Sequence, residues 1–452
     1  MKKTTSVVVL AFLFAPILFV AANAQNAAHW PQWRGPFFNG MARGDAPTTW
    51  SDTSNIKWKT EIPGKGHSTP AIWGDRIFLT TAIAVGKPPE TNPSTDSAPA
   101  ATGAQRGRGG NVAPQVEHRF DVLSLDRKTG KILWQRTAKT GTPHEGFHRA
   151  YGSFASNSPV TDGKYIYASF GSRGIYAYDF NGKLIWEKDL GVQMKMRLAF
   201  GEGAAPLLAG NSLFIVFDHE VESGSFIVAL DKRNGKELWR SARDERSSWS
   251  TPLAIEHNGR TEIVVSATNR VRSYDPETGK VLWESGGLGA NVIPVPVHQN
   301  DTVYVMSGYR DPKLMAIKLG KQGDLTGSDA IAWSHTRGLA YTASPVLYDN
   351  KLYVVTDNGL ITAFNATTGE PYYAQTRLPK AYNLKSSPVG ANGKLYLAME
   401  DGDVVVLKMG EKFEVLATNH LNDQIFIATP VIAAGELYLR GQNTLFCISE
   451  KK

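Results

Sequence analysis

The sequence predicts an all-β protein, an eight-bladed β-propeller that is closed by a strand from its own N-terminus. Three observations predict this fold. A motif ending in proline occurs eight times, a turn motif ending in an aromatic residue recurs between the prolines, and each end of the chain carries part of one repeat. Repeats of about 40 to 50 residues are typical of propeller blades.

The proline motif marks the start of each predicted blade. Small residues, mostly polar, precede the proline, and a turn and an alternating apolar strand follow it. Proline is tolerated at the first position of a strand because no ladder hydrogen bond is lost there. From Pro159 onward the prolines are 42 to 49 residues apart. The eight positions are Pro70, Pro159, Pro206, Pro252, Pro296, Pro345, Pro388 and Pro430.

The turn motif predicts a hairpin between the third and fourth strands of a blade. In one copy, Leu230-Asp231 leads through Gly235-Lys236 to Trp239. Glycine accepts the positive φ of a tight turn, and an Asp or Asn side chain hydrogen-bonds the turn backbone. The aromatic residue is large enough to fill the gap between blades, so we expect a packing role for it. The tryptophans concerned are Trp134, Trp186, Trp239, Trp283 and Trp333.

The two ends of the chain complete one blade between them. After Pro430 the sequence has strands around 437–439 and 444–448 but no fourth strand with its tryptophan. The segment 55–59, which contains Trp58, has that strand pattern and no unit before it. Pairing the two would leave no open sheet edge.

Two segments lie outside this pattern. Residues 1–24 have the features of a signal peptide: Lys2 and Lys3, an apolar stretch, and an Ala22-Asn23-Ala24 cleavage site. We therefore expect a mature domain of residues 25–452 in the periplasm or outside the cell, without a transmembrane segment. Residues from about 84 to 117 form an insertion in blade 1 that is rich in Pro, Ala, Thr and Gly, a composition that predicts disorder.

Composition excludes several functional classes. The net charge is +7, but no run of five Lys or Arg residues occurs, so we expect no binding to nucleic acid. Cys447 is the one cysteine, which excludes an intramolecular disulfide. It lies in a predicted strand, where a buried thiol without a catalytic role is expected.

The repeat unit Ala229 to Trp239 resembles the A-x-D-x-x-x-G-x-x-x-W repeat of the pyrroloquinoline quinone (PQQ) enzyme family. This resemblance extends from about Trp30 to Ile448. It implies an eight-bladed propeller like those of the quinoprotein alcohol dehydrogenases and of BamB-like proteins. The opening segment His29 to Pro36 resembles a subgroup of exported bacterial propellers without an assigned reaction.

The resemblance leaves two functions open. The first, which we favour, is a monomeric binding or scaffold propeller of the cell envelope. It would need no cofactor and would bind a protein or polymer. The second is a PQQ-dependent oxidoreductase acting on an alcohol or sugar, with Ca²⁺ at the quinone. The family's dehydrogenases often carry a disulfide of adjacent cysteines, which this chain lacks, and no Ca²⁺ ligand set can be assigned. We therefore predict no catalytic or metal-binding residues.

A ligand, if bound, is expected at the mouth of the central channel. Loops entering the innermost strands ring one end of this channel, although polar loop residues usually face only water, which we take as the first expectation. Three residues before the strand prolines lie His67, Ser156, Trp249, Thr342 and Lys385. Aromatic rings with cations and hydroxyls would suit a flat anionic ligand. The candidate ligand-binding residues are His148, Arg246, Trp249, Tyr309, Arg310, Tyr341 and Lys385.

Three further motifs stand out in the sequence. His144-Glu145-Gly146-Phe147-His148 matches H-E-x-x-H in its letters, but a zinc site of this kind needs a helix, and this segment follows a proline and contains glycine. Asp218-His219-Glu220 and Ser307-Gly308-Tyr309-Arg310 interrupt the repeat. We expect both to decorate hairpins.

Overall fold

The chain folds into eight antiparallel sheets of four strands, one of which gains a short fifth strand. The computed structural model describes residues 28–86, 112–221 and 224–450. Each sheet is one blade, and blades are numbered in chain order from Pro70. The predicted all-β, eight-bladed propeller is confirmed.

The strand bounds follow the repeat. Blade 1 contains β2 (Ala71–Trp73), β3 (Arg76–Val85), β4 (Glu117–Asp126) and β5 (Ile132–Gly141). Blade 2 contains β6 (Val160–Thr161), β7 (Tyr165–Ser169), β8 (Ile175–Asp179) and β9 (Leu184–Lys188). Blade 3 contains β10 (Leu207–Ala209), β11 (Ser212–Phe217), β12 (Ser225–Asp231) and β13 (Glu237–Arg243). Blade 4 contains β14 (Leu253–His257), β15 (Arg260–Val265), β16 (Val271–Tyr274) and β17 (Val281–Ser285), to which β21 (Gly323–Asp324) is added.

The second half of the ring repeats this order. Blade 5 contains β18 (Val297–Gln299), β19 (Thr302–Ser307), β20 (Lys313–Lys318) and β22 (Ile331–His335). Blade 6 contains β23 (Val346–Tyr348), β24 (Lys351–Val355), β25 (Leu360–Asn365) and β26 (Pro371–Arg377). Blade 7 contains β27 (Val389–Ala391), β28 (Lys394–Ala398), β29 (Asp403–Lys408) and β30 (Val415–His420). Blade 8 contains β31 (Val431–Ala433), β32 (Glu436–Arg440), β33 (Thr444–Ile448) and β1 (Ile56–Glu61). Two 3₁₀ turns lie at Gly171–Arg173 and Arg197–Ala199.

The first strand of each blade lies innermost. Every such strand begins at the residue after a motif proline, as predicted. Innermost strands of successive blades contact one another, as β2 and β6 do. The hydrophobic core lies between neighbouring blades; one cluster contains Leu79 of blade 1, Val404 of blade 7 and Leu437 of blade 8. Radial stacking therefore buries sheet faces that a single blade would expose.

The N-terminal strand closes the ring. Strand β1 pairs antiparallel with β33, and Thr60 lies opposite Leu445. Trp58 takes the place of the fourth-strand tryptophan and donates its indole N–H to the carbonyl oxygen of Arg127 in blade 1, at 3.0 Å. The predicted closure is confirmed in both strand pairing and packing.

Five of the six outer-strand tryptophans pack on the turn glycine of the following blade. Trp186 donates to the carbonyl oxygen of Lys232 at 2.9 Å, and a Cβ at Gly235 would lie 2.6 Å from its ring. Gly235 has a φ of +71° as well, so both backbone conformation and ring contact require glycine there. The same pairing joins Trp58 with Gly130, Trp134 with Gly182, Trp239 with Gly279 and Trp333 with Gly369.

Trp283 departs from this arrangement. Blade 5 replaces the short glycine turn with a longer connection that carries β21, which pairs in parallel with β17 of blade 4. Trp283 is fully buried and donates instead to the Glu262 carboxylate within its own blade, at 2.8 Å. Trp283 therefore has the predicted packing role, but its hydrogen-bond partner is Glu262 and not the turn of the following blade.

A ring of hydrogen bonds explains the small polar residue before each proline. The backbone N–H of this residue donates to the hydroxyl of its counterpart in the next blade, as Ser344 donates to Ser387 at 2.9 Å. Six of the eight links are present, including Thr429 to Thr69 across the closure. At the other two, the following blade has Ala205 or Val295, which carry no hydroxyl. We call this set the hydroxyl ring.

Removing a hydroxyl from the hydroxyl ring is expected to lower the free energy of unfolding, and adding one at a position that lacks it is expected to raise it. Ser344→Ala removes the acceptor of the buried Val295 N–H and should lower the free energy of unfolding by about 1–2 kcal/mol. Val295→Thr supplies an acceptor for Thr251 and should raise it by up to about 1 kcal/mol. Urea denaturation measures both, with Ser334→Ala on an exposed strand face as the neutral control. Equal effects of Ser344→Ala and Ser334→Ala would contradict the ring.

The predicted insertion lies in the hairpin between β3 and β4. Its predicted bounds were too wide, because Ala84, Val85 and Glu117 belong to the strand ladder, where Val85 faces Glu117. Most of the segment predicted to be disordered lies outside the described residues, as does the predicted signal peptide. Among the described residues, no helix has the length and apolar character needed to span a lipid bilayer.

Candidate functional site

A cavity of about 400 Å³ opens at one end of the central channel. Its lining includes, from every blade, the residue three positions before the motif proline. This register follows from the repeat, because each loop that enters an innermost strand reaches the channel at the same point. The eight residues are His67, Ser156, Gly203, Trp249, Ile293, Thr342, Lys385 and Ile427. We call the space the channel cavity.

The segment 28–50 crosses the channel on the side opposite the cavity mouth, and we call it the N-terminal plug. Trp30 pairs with Ile72 of blade 1, and Met41 pairs with Gly390 of blade 7. Between them, the Arg34 guanidinium donates to the carbonyl oxygens of Pro345 at 2.6 Å and Pro388 at 3.0 Å. Trp33, the residue before Arg34, lines the channel cavity. The plug therefore supplies the cavity with part of its floor.

Two long loops, 142–158 and 189–205, build one wall of the cavity. They are joined directly, since the His148 N–H donates to the carbonyl oxygen of Phe200 at 3.0 Å. His144 hydrogen-bonds the carbonyl oxygen of Met194 at 2.7 Å, and the Glu145 carboxylate accepts from the Met196 N–H at 2.9 Å. The H-E-x-x-H residues thus hold one loop against the other. No group of three metal-ligating side chains occurs in the described residues.

Aromatic rings form a collar around the mouth. Trp249 is fixed by its indole N–H, which donates to the carbonyl oxygen of Gly201 at 2.7 Å. Tyr309 and Tyr341 lie with ring centroids 5.1 Å apart, and His148 stacks on Tyr151 at 4.4 Å. The collar offers flat apolar faces, and the indole N–H of Trp249 already has a partner.

Five of the seven candidate residues line the channel cavity: His148, Trp249, Tyr309, Tyr341 and Lys385. The other two do not. Arg246 is exposed and outside the lining, and so is Arg310, whose guanidinium lies 5.4 Å from the Tyr309 ring centroid. The structure thus brings neither Arg246 nor Arg310 into the lining of the channel cavity.

Trp33 and Arg197 are among the lining residues that the sequence did not indicate. Trp33 comes from the N-terminal plug, which contains no repeat, and Arg197 comes from the 3₁₀ turn of the loop 189–205. The next residue, Leu198, has a φ of +52°, a conformation rare for leucine. The sequence offered no periodic signal for either residue.

Charges around the cavity are unequally paired. Lys385 forms an ion pair with Asp357 at 2.8 Å and lies 4.8 Å from the Tyr151 ring centroid. Glu202 accepts hydrogen bonds from Ser172 and forms an ion pair with Arg173. Within the described part of the chain, the Arg197 side chain has no hydrogen bond or ion pair. The lining is therefore left with positive charge.

Burial lowers the pKa of both histidines that line the cavity. It lowers the pKa of His67 to about 3, with further lowering by the charges of Arg440 and Lys65. Burial also lowers the pKa of His148, assisted by the charge of Lys385. Both imidazoles are thus neutral at physiological pH. The Nε2 atom of His67 is buried without a partner among the described residues.

The motif Asp218-His219-Glu220 was expected to decorate a hairpin. Its two carboxylates also hold a neighbouring loop in place. Asp218 forms a fully buried ion pair with Arg243, and Glu220 accepts from the Ser247 hydroxyl at 3.0 Å. Both contacts hold the loop that ends in Trp249. Cys447 is buried in β33, where burial raises the pKa of its thiol to about 12.

The channel cavity fits a flat anion better than it fits a quinone with its metal ion. Aromatic faces and the Arg197 and Lys385 cations suit an anionic ring system. Ca²⁺ prefers several carboxylate and carbonyl oxygens. Of the described residues that line the cavity, Glu202 is the one carboxylate, and Ser172 and Arg173 already engage it. The residues present do not make a site for the metal.

Comparison with known proteins gives one family and several distant relatives. The family described as outer membrane protein assembly factor BamB matches residues 118–286, 223–344 and 267–451. A polyvinylalcohol dehydrogenase of Pseudomonas sp is 23% identical over 295 residues, which cover 56% of this chain and 40% of that protein. A tetrathionate hydrolase of Acidithiobacillus ferrooxidans is 22% identical over 356 residues, which cover 70% of this chain and 66% of that protein. The chain thus spans about half the length of these relatives.

Among solved structures, a europium-containing methanol dehydrogenase superposes with a TM-score of 0.63. The superposition covers 93% of this chain and 90% of that one at 11% sequence identity. At this identity the likeness concerns the fold, because one fold supports many functions.

Proposed function

Since this chain belongs to the family described as outer membrane protein assembly factor BamB, we propose that it is an exported binding propeller of the cell envelope that performs no catalysis. Its partner is an envelope protein or polymer that places one group in the channel cavity. The signal-like residues 1–24 support export to the periplasm or beyond. The observation that carries the proposal is a cavity of about 400 Å³ to which all eight blades contribute.

The collar around the cavity supports binding rather than chemistry. Trp249 and Tyr341 present apolar faces, and buried aromatic residues dominate binding energy at interfaces. Two carboxylates of the cavity wall are engaged in holding loops: Glu145 accepts from a backbone N–H, and Glu202 is paired with Arg173. General acid–base catalysis requires a group within hydrogen-bond reach of the substrate.

A PQQ-dependent oxidoreductase is the alternative function. The aromatic collar and the similarity to a polyvinylalcohol dehydrogenase favour it. Against it stands the fact that, among the described residues, the cavity lining offers one carboxylate, Glu202, which Ser172 and Arg173 already engage.

Partner capture from envelope extract tests the proposal. Trp249→Ala removes the largest aromatic face of the collar and should weaken capture at least tenfold, the effect of losing a binding hot spot. The matched control is Tyr348→Ala, an exposed aromatic residue outside the cavity, which should capture as the unmodified protein does. Equal loss with both variants, or none with Trp249→Ala, would show that the partner does not use the cavity.

The alternative is tested on the same purified protein. It is incubated with PQQ and Ca²⁺ and desalted, and retained quinone absorbance and dye-linked dehydrogenase activity are then measured. We expect neither. Retained quinone together with turnover of an alcohol would replace the proposed function with the oxidoreductase.

A further inference from the structure

Two fully buried arginines in the channel wall lack carboxylate partners. Arg34 donates to the carbonyl oxygens of Pro345 and Pro388, and Arg440 donates to those of Ser68 and Thr80. Within the described residues, neither forms an ion pair, and the Nε atom of each has no hydrogen-bond partner. Buried charges in proteins are normally paired, because desolvating an uncompensated charge is costly. The protein therefore keeps two positive charges near the channel without neutralising them.

The hydroxyl ring presents donors at the same place. Each of its hydroxyls accepts a backbone N–H from the preceding blade, so the hydroxyl hydrogen is left to donate elsewhere. Five of these hydroxyls line the channel cavity: Thr69, Ser158, Thr251, Ser387 and Thr429. Trp33 adds an indole N–H that is buried without a partner in the described part of the chain. The deep part of the cavity is thus rich in donors.

The mouth of the cavity carries the same sign of charge. Arg197 lines the mouth and has no ion pair among the described residues, whereas Lys385, which lines it too, is paired with Asp357 and lies 4.0 Å from Glu400. The Glu202 carboxylate of the lining is compensated by Arg173. A cleft lined by one sign of charge with low-dielectric walls concentrates ligands of the opposite sign.

We infer that the group bound in the channel cavity is an oxyanion, a carboxylate or a phosphate, that enters past Arg197 and accepts hydrogen bonds from the hydroxyl ring and from Trp33. This inference rests on the proposed binding function and names the chemistry of its ligand. An anion at this position would offset the charges of Arg34 and Arg440 and would give the unpaired Trp33 N–H an acceptor. The aromatic collar would pack on whatever ring or chain carries the anionic group.

Small probes of matched shape test the charge requirement. Benzoate and benzamide have nearly the same size, but only benzoate is an anion, and inorganic phosphate tests the anionic group without a ring. Binding is followed by calorimetry and by tryptophan fluorescence on the purified mature chain. We expect benzoate to bind at least tenfold more tightly than benzamide. If phosphate binds as tightly as benzoate, the site recognises a phosphate-type group; if benzoate is tighter, it recognises a carboxylate on a ring.

Matched arginine variants locate the site. Arg197→Gln should weaken benzoate binding about tenfold, the usual effect of losing a charge-assisted hydrogen bond. Arg246→Gln, an exposed arginine outside the cavity lining, should leave binding unchanged. Trp33→Phe, which keeps the ring and removes the indole N–H, should weaken binding about fivefold. Thermal unfolding confirms that each variant is folded.

The outcomes separate this inference from the proposed function. Equal binding of benzoate and benzamide, no binding of any probe, or equal effects of Arg197→Gln and Arg246→Gln would each overturn the oxyanion site. Partner capture that depends on Trp249 could still be observed in those cases, and the proposed function would stand. Benzoate binding without Trp249-dependent capture would support the oxyanion site and contradict the proposed binding of a partner through the cavity.

Discussion

Replacing Arg243 with methionine is expected to lower the free energy of unfolding by about 3–5 kcal/mol. Arg243 and Asp218 are both fully buried and form two hydrogen bonds, at 2.8 Å and 3.0 Å. Arg243 also donates to the Tyr274 hydroxyl of blade 4, and Ser248 donates to Asp218 at 2.6 Å. Methionine would leave the Asp218 carboxylate in the core without a cation. Urea denaturation gives the change in free energy.

A double replacement separates the ion pair from the packing. Asp218→Leu together with Arg243→Met removes both charges, and replacing a buried pair by apolar residues is often close to neutral. We therefore expect the double variant to regain more than half of the stability lost in Arg243→Met. Arg240→Met, on the same strand but in a partly exposed pair with Glu237, should cost less than about 1 kcal/mol. A similar cost for Arg240→Met and Arg243→Met would contradict the argument.

The ion pair also connects stability to the cavity. Asp218 immediately follows β11, and its partner Ser248 immediately precedes Trp249. The backbone N–H of Trp249 then donates to the carbonyl oxygen of Val292 at 2.8 Å. Loosening this loop should displace the Trp249 ring, so Arg243→Met is expected to weaken partner capture in addition to destabilising the fold.

The fold could be predicted because most blades carry the same sequence features, and each feature has the same physical role in every blade that carries it. A proline at each innermost strand, a glycine under every outer-strand tryptophan except Trp283, and a terminal strand without a blade all occur in the sequence. The same register placed Trp249 and Lys385 at the channel, since every loop enters its strand in the same way.

The rest of the site depends on contacts that no spacing encodes. Arg34 reaches Pro388 across 354 residues of sequence, and this contact determines where the neighbouring Trp33 lies. Arg310 adjoins the lining residue Tyr309 in sequence, but its φ of +42° belongs to a turn in which its side chain is exposed. Proximity along the chain was therefore a poor guide to proximity at the cavity wherever the backbone departs from the repeat.

Acid is expected to destabilise the propeller through His67. The pKa of this histidine is about 3 in the folded chain because burial and the charges of Arg440 and Lys65 disfavour the cation, whereas an unfolded histidine titrates near 6.5. Below pH 6.5 the unfolded state takes up a proton that the folded state does not. Stability is thus fully present above pH 6.5 and falls as pH decreases toward 3, by at most about 1.4 kcal/mol per pH unit. Between pH 6.5 and 5 the loss would be about 1.7 kcal/mol.

His67→Gln isolates this effect, because glutamine is polar and does not titrate. At pH 8 both proteins carry an uncharged side chain at position 67, so their difference in stability there measures packing alone. From pH 6.5 to 5, unfolding free energies of the variant should decline less steeply than those of the unmodified protein, by about 1 kcal/mol per pH unit. Parallel pH profiles would show that His67 is protonated in the folded chain. A neutral His67 keeps a buried Nε2 atom beside the oxyanion site without adding charge to it, so ligand binding there should depend on Arg197 and the hydroxyl ring at every pH at which the chain is folded.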